Sequence, residues 1–449
     1  MEKREIIEKI EGLKDLLNRA FYMRNSVFAL IRCLFLKYAT DNLVGGWNTP
    51  GGKGVYERMK EMFEKCEFIK YGPNILVEVF SIIGRQFGSG IDQILMSASG
   101  DFAEELFAIG HDYRRNGMES ACKRVASKLA EIDLEEHDGD HSVGKLLVEC
   151  IKNYLGNADY RNVTGVITNK TAAELAGKIL QVEDGEKFLD FASGIGLSTL
   201  TIVENDGTYI INSDVEEKNL ALAVMLYIMR GYGDFKIENK SYDALDTTSP
   251  VDKIFVDPPF GGRMRTSKGD TIDSVSCAVN TALDFLDVNN PRQKMVLAVS
   301  SNFLFSAAKP IVNVKKRIIA DAALKAIIAL PLNVPGTGGV TINFIVLSME
   351  KSTDVTFVNA CGREFQKYVT KSKIRETSVS KEGIDLIANI VNDGVETRGI
   401  AVNVPYYAVN FENMLPANYV KEERETGGLT VAQIDERLAE LYNRLGIKK

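Results

Sequence analysis

The chain has 449 residues, of which 45% are hydrophobic and 26% charged, with a formal net charge of −7. This length accommodates two or three domains around a large core. The composition excludes a disordered or collagen-like chain, and the acidic balance excludes a basic footprint spread over the whole surface. Any work on nucleic acid would need basic groups held locally or lent by a partner, because phosphate contacts supply most non-specific affinity.

The N-terminal MEKREIIEKIEGLKDLL alternates charged and apolar residues at helical spacing and has no signal-peptide apolar core, so the expected location is cytoplasmic. No stretch approaches the roughly 18 apolar residues of a membrane span, and no membrane contact is expected. Residues 1–155 read as a helical N-terminal domain. Ile6, Ile10, Leu13 and Leu17, with Ile7 and Leu16 beside them, open an apolar stripe. FALIRCLFLKYATDN (28–42) reads as a longer buried helix, and GGWNTPGGKG (45–54) as a loop. Further helical patterns follow at 57–66, 74–86, 101–110, 118–131 and 142–154. Six scattered cysteines without a C-x-x-C pair fit reduced thiols. His137 and His141 in EEHDGDH have i, i+4 spacing, but a solvated acidic turn accounts for them and no metal is expected.

Near residue 160 the texture changes. Short apolar runs (KFLDFA 187–192, TYIINSD 208–214, FKIENKS 235–241, KIFVDPP 253–259, KMVLAVS 294–300, AIIALP 326–331 and INFIVLSME 342–350) alternate with helical stretches, notably 215–230, 271–286 and 307–325. Alternation of this kind predicts right-handed βαβ units and a mostly parallel α/β sheet over residues 156–352. The last two runs are too close for a crossover helix and predict an antiparallel hairpin at the sheet's edge. Residues 353–449 read as a C-terminal extension with helical pieces at 381–392 and 431–446. The second of these, VAQIDERLAELYNRLG, has one apolar face and reads as a docking helix.

The candidate site lies at the strand ends. FLDFASGIGLSTL is a D-x-x-x-G-x-G turn after the first strand, in which Asp190, Ala192, Ser193, Gly194 and Gly196 bring backbone close to a cofactor. Asp214, ending the second strand, suits ribose hydroxyls or a helix N-cap. Asp243, after the third, could accept from a cofactor's adenine amine. Thr168, in TGVITNKTAAELAGKIL, precedes a helix whose first amides could hold a cofactor carboxylate; the competing reading is a plain capped helix.

The fourth strand closes with Asp257-Pro258-Pro259-Phe260. An exocyclic amine on adenine is a poor nucleophile because its lone pair is delocalised into the ring. The Asp257 side chain and the Pro258 carbonyl can accept its two hydrogens, which frees the lone pair for in-line attack. Pro259 stiffens the loop, and Phe260 offers a stacking face to a base taken out of the duplex. Arg263, Arg265 and Lys268 in the following Gly-rich loop could meet phosphates; an ordinary solvated loop is the alternative.

On these motifs the chain resembles the modification (M) subunits of type I restriction–modification systems, within the adenine-N6 DNA methyltransferases. FALIRCLFLKY resembles the helical N-terminal domain of that family, TGVITNKTAAEL its motif before the sheet, FASGIG its cofactor loop and DPPF its catalytic tetrapeptide. The segments SSNFLFS, RIIADAALKAIIALPLNV and GVTINFIVLS resemble the late strands in order. The resemblance implies a class I (Rossmann-like) methyltransferase sheet and S-adenosyl-L-methionine as methyl donor. It also implies duplex DNA as substrate, a specificity (S) subunit that reads the target, a possible restriction (R) subunit and two M chains per complex. Two departures stand out. The family usually carries Asn where this chain has Asp257, and an aromatic residue and a proline where it has Ile167 and Asn169. Methylation of RNA or of a protein glutamine, and a non-catalytic subunit of the same fold, are the competing readings.

Overall fold

The computed structural model describes residues 2–20, 23–42, 52–65, 68–88, 90–97, 118–137, 140–157, 168–265, 271–321, 323–333, 340–350, 352–362, 365–371 and 374–421. The N-terminal region is helical: α1 (Lys3–Ala20), α2 (Met23–Asn42), α3 (Gly52–Glu64), α4 (Phe68–Phe87), α5 (Ile91–Ser97), α6 (Met118–Ala130) and α7 (Ser142–Asn157). In α1 the stripe Ile6, Ile10, Leu13 and Leu17 is buried while Ile7 faces water, as its spacing predicts. In α2 the run Leu30–Leu36 is buried all round, so this helix lies inside the bundle. The helix expected at 101–110 and the docking helix expected at 431–446 lie outside the described residues.

From there the chain alternates: α8 (Lys170–Leu180), β1 (Lys187–Asp190), α9 (Leu197–Ile202), β2 (Tyr209–Asp214), α10 (Glu217–Arg230), β3 (Phe235–Asn239) and β4 (Lys253–Val256). A short ribbon of β5 (Arg263–Arg265) and β6 (Thr271–Asp273) leads into α11 (Ser274–Asp284), β7 (Lys294–Ser300), α12 (Ser301–Phe305), α13 (Lys309–Ala320), β8 (Leu324–Asn333) and β9 (Thr341–Ser348). Then come β10 (Asp354–Asn359), the ribbon β11 (Gln366–Lys371) and β12 (Ile374–Val379), α14 (Lys381–Asp393) and β13 (Ala401–Pro405).

The main sheet has nine strands in the order β13-β10-β8-β9-β7-β4-β1-β2-β3. Strands β3, β2, β1, β4 and β7 run parallel, and β9 is inserted antiparallel between β7 and β8. The architecture is the α/β sheet with helical N-terminal region that the sequence implies, with one correction. The β8/β9 hairpin does not form the edge: β10 pairs parallel with β8, and β13 pairs antiparallel with β10. The C-terminal extension, which carries the helix expected at 381–392, therefore also supplies two strands, because β8 would otherwise expose a row of backbone donors and acceptors.

Strands such as β4 (KIFV) are buried over their whole length, as central parallel strands are. Alternate residues feed two cores: Phe255, Val296 and Ala298 point to one face, and Ile254, Val256, Leu297 and Val299 to the other. The first core runs without a break from the sheet into the N-terminal helices. The element between them is α10, in which every residue from Leu220 to Met229 is buried. Backbones meet closely here: a Cβ on Gly144 of α7 would lie 1.7 Å from the Met229 carbonyl oxygen. Glu136 fixes the start of α7 by accepting from the amides of Val143 (3.1 Å) and Gly144 (2.8 Å), and from the Tyr38 hydroxyl (3.2 Å). No helix among the described residues is long and apolar enough to cross a membrane.

A side chain at position 144 forces α7 off α10. Gly144→Ala is expected to lower stability by about 1–3 kcal/mol, the usual cost of overpacking with backbone displacement. Gly12 of α1, where an added Cβ would meet nothing within 4 Å, is the control: Gly12→Ala should add about 0.5–1 kcal/mol. Urea unfolding midpoints of the two variants, moving in opposite directions, check both.

Candidate active site

The chain leaves β1 toward β2 and β3 on one side and returns through β4 and β7 on the other, so the sheet's switch point lies between β1 and β4. Ligands of open α/β sheets bind beyond the strand ends at such a point. Register sets the spacing of the acids there. Asp190 pairs with Asn212 of β2 and with Phe255 of β4. Asp214 and Asp257 therefore each stand two residues beyond the level of Asp190, about 6–7 Å further along at the usual strand rise. Asp190, on the strand between them, lies lower and is wholly buried.

The turn after β1 needs its glycines. Gly194 has φ 52° and Gly196 φ 77°, in the left-handed region, and a Cβ on Gly196 would lie 2.4 Å from the Tyr227 hydroxyl. Tyr227 is in turn fixed by the Asn212 amide, which donates to its hydroxyl at 2.7 Å and to Thr199 Oγ1 at 3.1 Å. Gly194 N–H donates to Asp214 Oδ2 (2.9 Å), and Ser193 N–H donates to the Ser213 carbonyl (3.2 Å). The second strand end thus shapes the loop of the first.

Asp190 is wholly buried, accepting from Ala192 N–H (3.2 Å) and from the Ser198 hydroxyl (2.5 Å). Its place is beneath the loop, as the brace of the turn. Burial pushes its carboxyl up to about 7 against the pull of those two donors, and the charges of Asp257 and Asp214 add to the rise. Asp214 is half-buried and also accepts from Glu216 N–H (2.8 Å), starting α10; burial raises it too. The half-buried Asp243 accepts from the Ser241 hydroxyl (2.7 Å). Its charge, after burial itself, helps push the Cys277 thiol up to about 11.

At the tip of β4, burial pushes the Asp257 carboxyl up to about 6, and the Thr168 side chain opposes that rise. Pro258 is buried, Pro259 exposed, and Phe260 half-buried against apolar residues of both cores. Ser274 braces the loop from behind: its hydroxyl donates to the Pro259 carbonyl and its amide to the Gly262 carbonyl (3.0 Å). Asp273 caps α11 by accepting from Ser276 N–H (2.9 Å). The β5/β6 ribbon thus springs from the motif, with Arg263 exposed and in register with Asp273. Of Arg265 only the backbone is described, and Lys268 lies outside the described residues.

The strand ends bring together Asp190, Gly194, Gly196, Asp214 and Asp257, with Thr168 near Asp257. Ser198, Tyr227 and Ser274 support it and do not stand out in the sequence. Ser198 has a weak signal, a hydroxyl at the start of the helix after the glycines. Ser274 has none, since its bond to Pro259 spans a ribbon whose return cannot be read from composition.

The sequence matches the N-6 DNA methylase family over residues 149–426. Among curated proteins, no match is found. Among solved structures, the type I restriction-modification methyltransferase subunit from Streptococcus thermophilus aligns with 91% of this chain and 97% of its own, at 15% identity and a TM-score of 0.64. A chain from a structure of complex assembly and conformational transition in the type I restriction-modification system aligns with 99% of this chain and 96% of its own, at 12% identity and the same TM-score of 0.64. Identities this low show a shared fold. The family match spans well over half of the 449 residues and takes in the glycine turn, the strand-end acids and the Asp257 motif, and on it the chain belongs to the N-6 DNA methylase family, enzymes that methylate adenine N6 in DNA.

Proposed function

We propose that the chain transfers a methyl group from S-adenosyl-L-methionine to an adenine turned out of duplex DNA, as the modification subunit of a type I restriction–modification system. The observation that carries this is the crowding of Asp190, Asp214 and Asp257 at neighbouring strand ends beside the glycine turn, where each carboxyl is held above its usual range. A cleft of buried carboxylates suits a donor with positive sulfonium and ammonium groups, and the glycine turn beside it lets backbone come close to that donor. When bound, the donor supplies an electrophilic methyl group.

The chain's own residues do the rest. Gly194 and Gly196, with Ala192 and Ser193, line the donor's side of the cleft, and Asp190 holds their turn in shape. Asp214 keeps lone pairs for ribose hydroxyls beyond those facing Gly194 and Glu216, and Asp243 accepts from the donor's adenine amine. The Asp257 carboxylate and the Pro258 carbonyl accept the two hydrogens of the target amine. The neighbouring Pro259 carbonyl already takes the Ser274 hydroxyl, which fixes the direction of the loop. Phe260 stacks on the target base. Arg263, with Arg265 and Lys268 beyond it, meets phosphates beside that base. A specificity subunit reads the target sequence, two M chains flank it, and a restriction subunit joins that assembly. The similarity in fold to type I methyltransferase subunits and the chain's acidic balance support this arrangement.

Incubation of the chain and its co-encoded subunits with duplex DNA and methyl-labelled donor should place the label on adenine N6. Label found only in RNA or protein would reject the reading. Asp257→Ala should slow transfer by about 10²–10³-fold, the loss typical of one electrostatic contact to the reacting group, with donor affinity kept within a few-fold.

Proton linkage gives a further test. A bound cation favours the ionised carboxylates, so binding near pH 6–7 should release protons and should weaken as pH falls through about 6. Calorimetry in buffers of different ionisation enthalpy measures the release. The thioether product, which lacks the sulfonium charge, should release fewer protons than the donor.

A further inference from the structure

The Asp257-Pro258-Pro259-Phe260 loop carries two proline carbonyls whose surroundings differ. The Pro259 carbonyl accepts from the Ser274 hydroxyl. Among the described residues no donor is bonded to the Pro258 carbonyl, although Pro258 is buried. Ser274 also holds the far end of the loop, where its amide donates to the Gly262 carbonyl at 3.0 Å. A Cβ on Gly262 would lie 3.2 Å from the same hydroxyl, so the turn wraps this one side chain closely. Ser274 is itself buried and is the first residue of α11. That helix is anchored in the second core by Val275, Ala278, Val279, Ala282 and Leu283, beside Leu297 and Val299 of β7. The hydroxyl therefore projects from a fixed support. It is not needed to start the helix, because Asp273 is the cap that accepts from Ser276 N–H (2.9 Å).

We propose that Ser274 is a positioning residue whose hydroxyl sets the direction of the Pro258 carbonyl, the backbone acceptor for the target amine. The inference rests on the methyl-transfer reading and gives the second acceptor of that reading a physical cause. Peptide units are planar, so only the φ and ψ torsions of Pro259 separate one carbonyl from the other. The proline ring locks φ at about −65°. The Ser274 hydrogen bond holds the Pro259 carbonyl and thereby sets ψ. With both torsions fixed, the Pro258 carbonyl keeps one direction relative to α11. An acceptor aimed before the base arrives needs no reorganisation during transfer. The second proline of the motif thus works together with a serine 15 positions further on.

Two measurements test this. Single-turnover methyl transfer is followed for the full chain with its partner subunits, at saturating donor and DNA. Ser274→Ala should slow transfer about tenfold, the rate equivalent of one hydrogen bond, while donor and DNA affinities stay with the parent. Ser276→Ala removes a neighbouring buried hydroxyl of α11 that has no hydrogen-bond partner, and it should change nothing. Pro259→Ala unlocks the other torsion, so adding it to Ser274→Ala should cost less than the product of the two single losses. A Ser274→Ala chain as fast as the parent overturns the proposal, as do losses that multiply or a loss that Ser276→Ala shares. The second measurement needs no substrate. The sequence holds one Pro-Pro and one Pro-Phe step, at 258–259 and 259–260. Proline labelled with ¹³C at the carbonyl, combined with ¹⁵N-labelled proline and phenylalanine, therefore reports each carbonyl separately by carbon-detected NMR. Ser274→Ala should move both resonances. Movement of the Pro259 carbonyl alone, or of neither, overturns the proposal. Movement of both in a chain that methylates no DNA would end the DNA reading and leave the orientation by Ser274 standing.

Discussion

The burial of three carboxyls at neighbouring strand ends is the constraint around which the rest of the site is arranged. Parallel pairing brings Asp190, Asp214 and Asp257 into one space, and burial makes the charge of each costly. The fold answers with donors. Ala192 and Ser198 serve Asp190, and Gly194 and Glu216 serve Asp214. Each donor is also part of the cleft's shape, so the electrostatics of the acids and the geometry of the glycine turn cannot be altered separately.

The helical region bears on the same cleft through α10. That helix begins at the Asp214 turn and is buried along its length between the sheet and the N-terminal helices. Tyr227, on α10, also stands where a side chain on Gly196 would go. Packing of α7 on α10 at Gly144 therefore sits two contacts away from the turn: α7 holds α10, and α10 holds Tyr227 against the glycine backbone.

Much of this is legible in the sequence, for physical reasons. The strands β1, β2, β4 and β7–β9 announce themselves as apolar runs because most of their residues are buried on both faces, β3 shows only the alternation of Phe235 and Ile237, and the acids and glycines stand out because they interrupt those runs at the ends. β10 and β13 do not. DVTFVN carries only three large apolar residues, and AVNVP combines an asparagine with a proline, so neither resembles a central strand. Their place depends on pairing with β8 and with each other across the intervening ribbon and α14. Thr168 is visible in the sequence because a helix start is local; its nearness to Asp257 is not, since 89 positions separate the two.

The sheet ends in strands that are poor templates for another chain. β13 is five residues long and closes on Pro405, which has no amide hydrogen to offer. At the opposite margin β3 is equally short and carries Lys236 and Glu238, whose ion pair lies along the exposed border. Short, charged or proline-stopped margins resist the addition of a foreign strand. Oligomers of this chain should therefore be built through helices, loops or the catalytic rim, and crowding in the cell should not drive them into continuous β-ribbons.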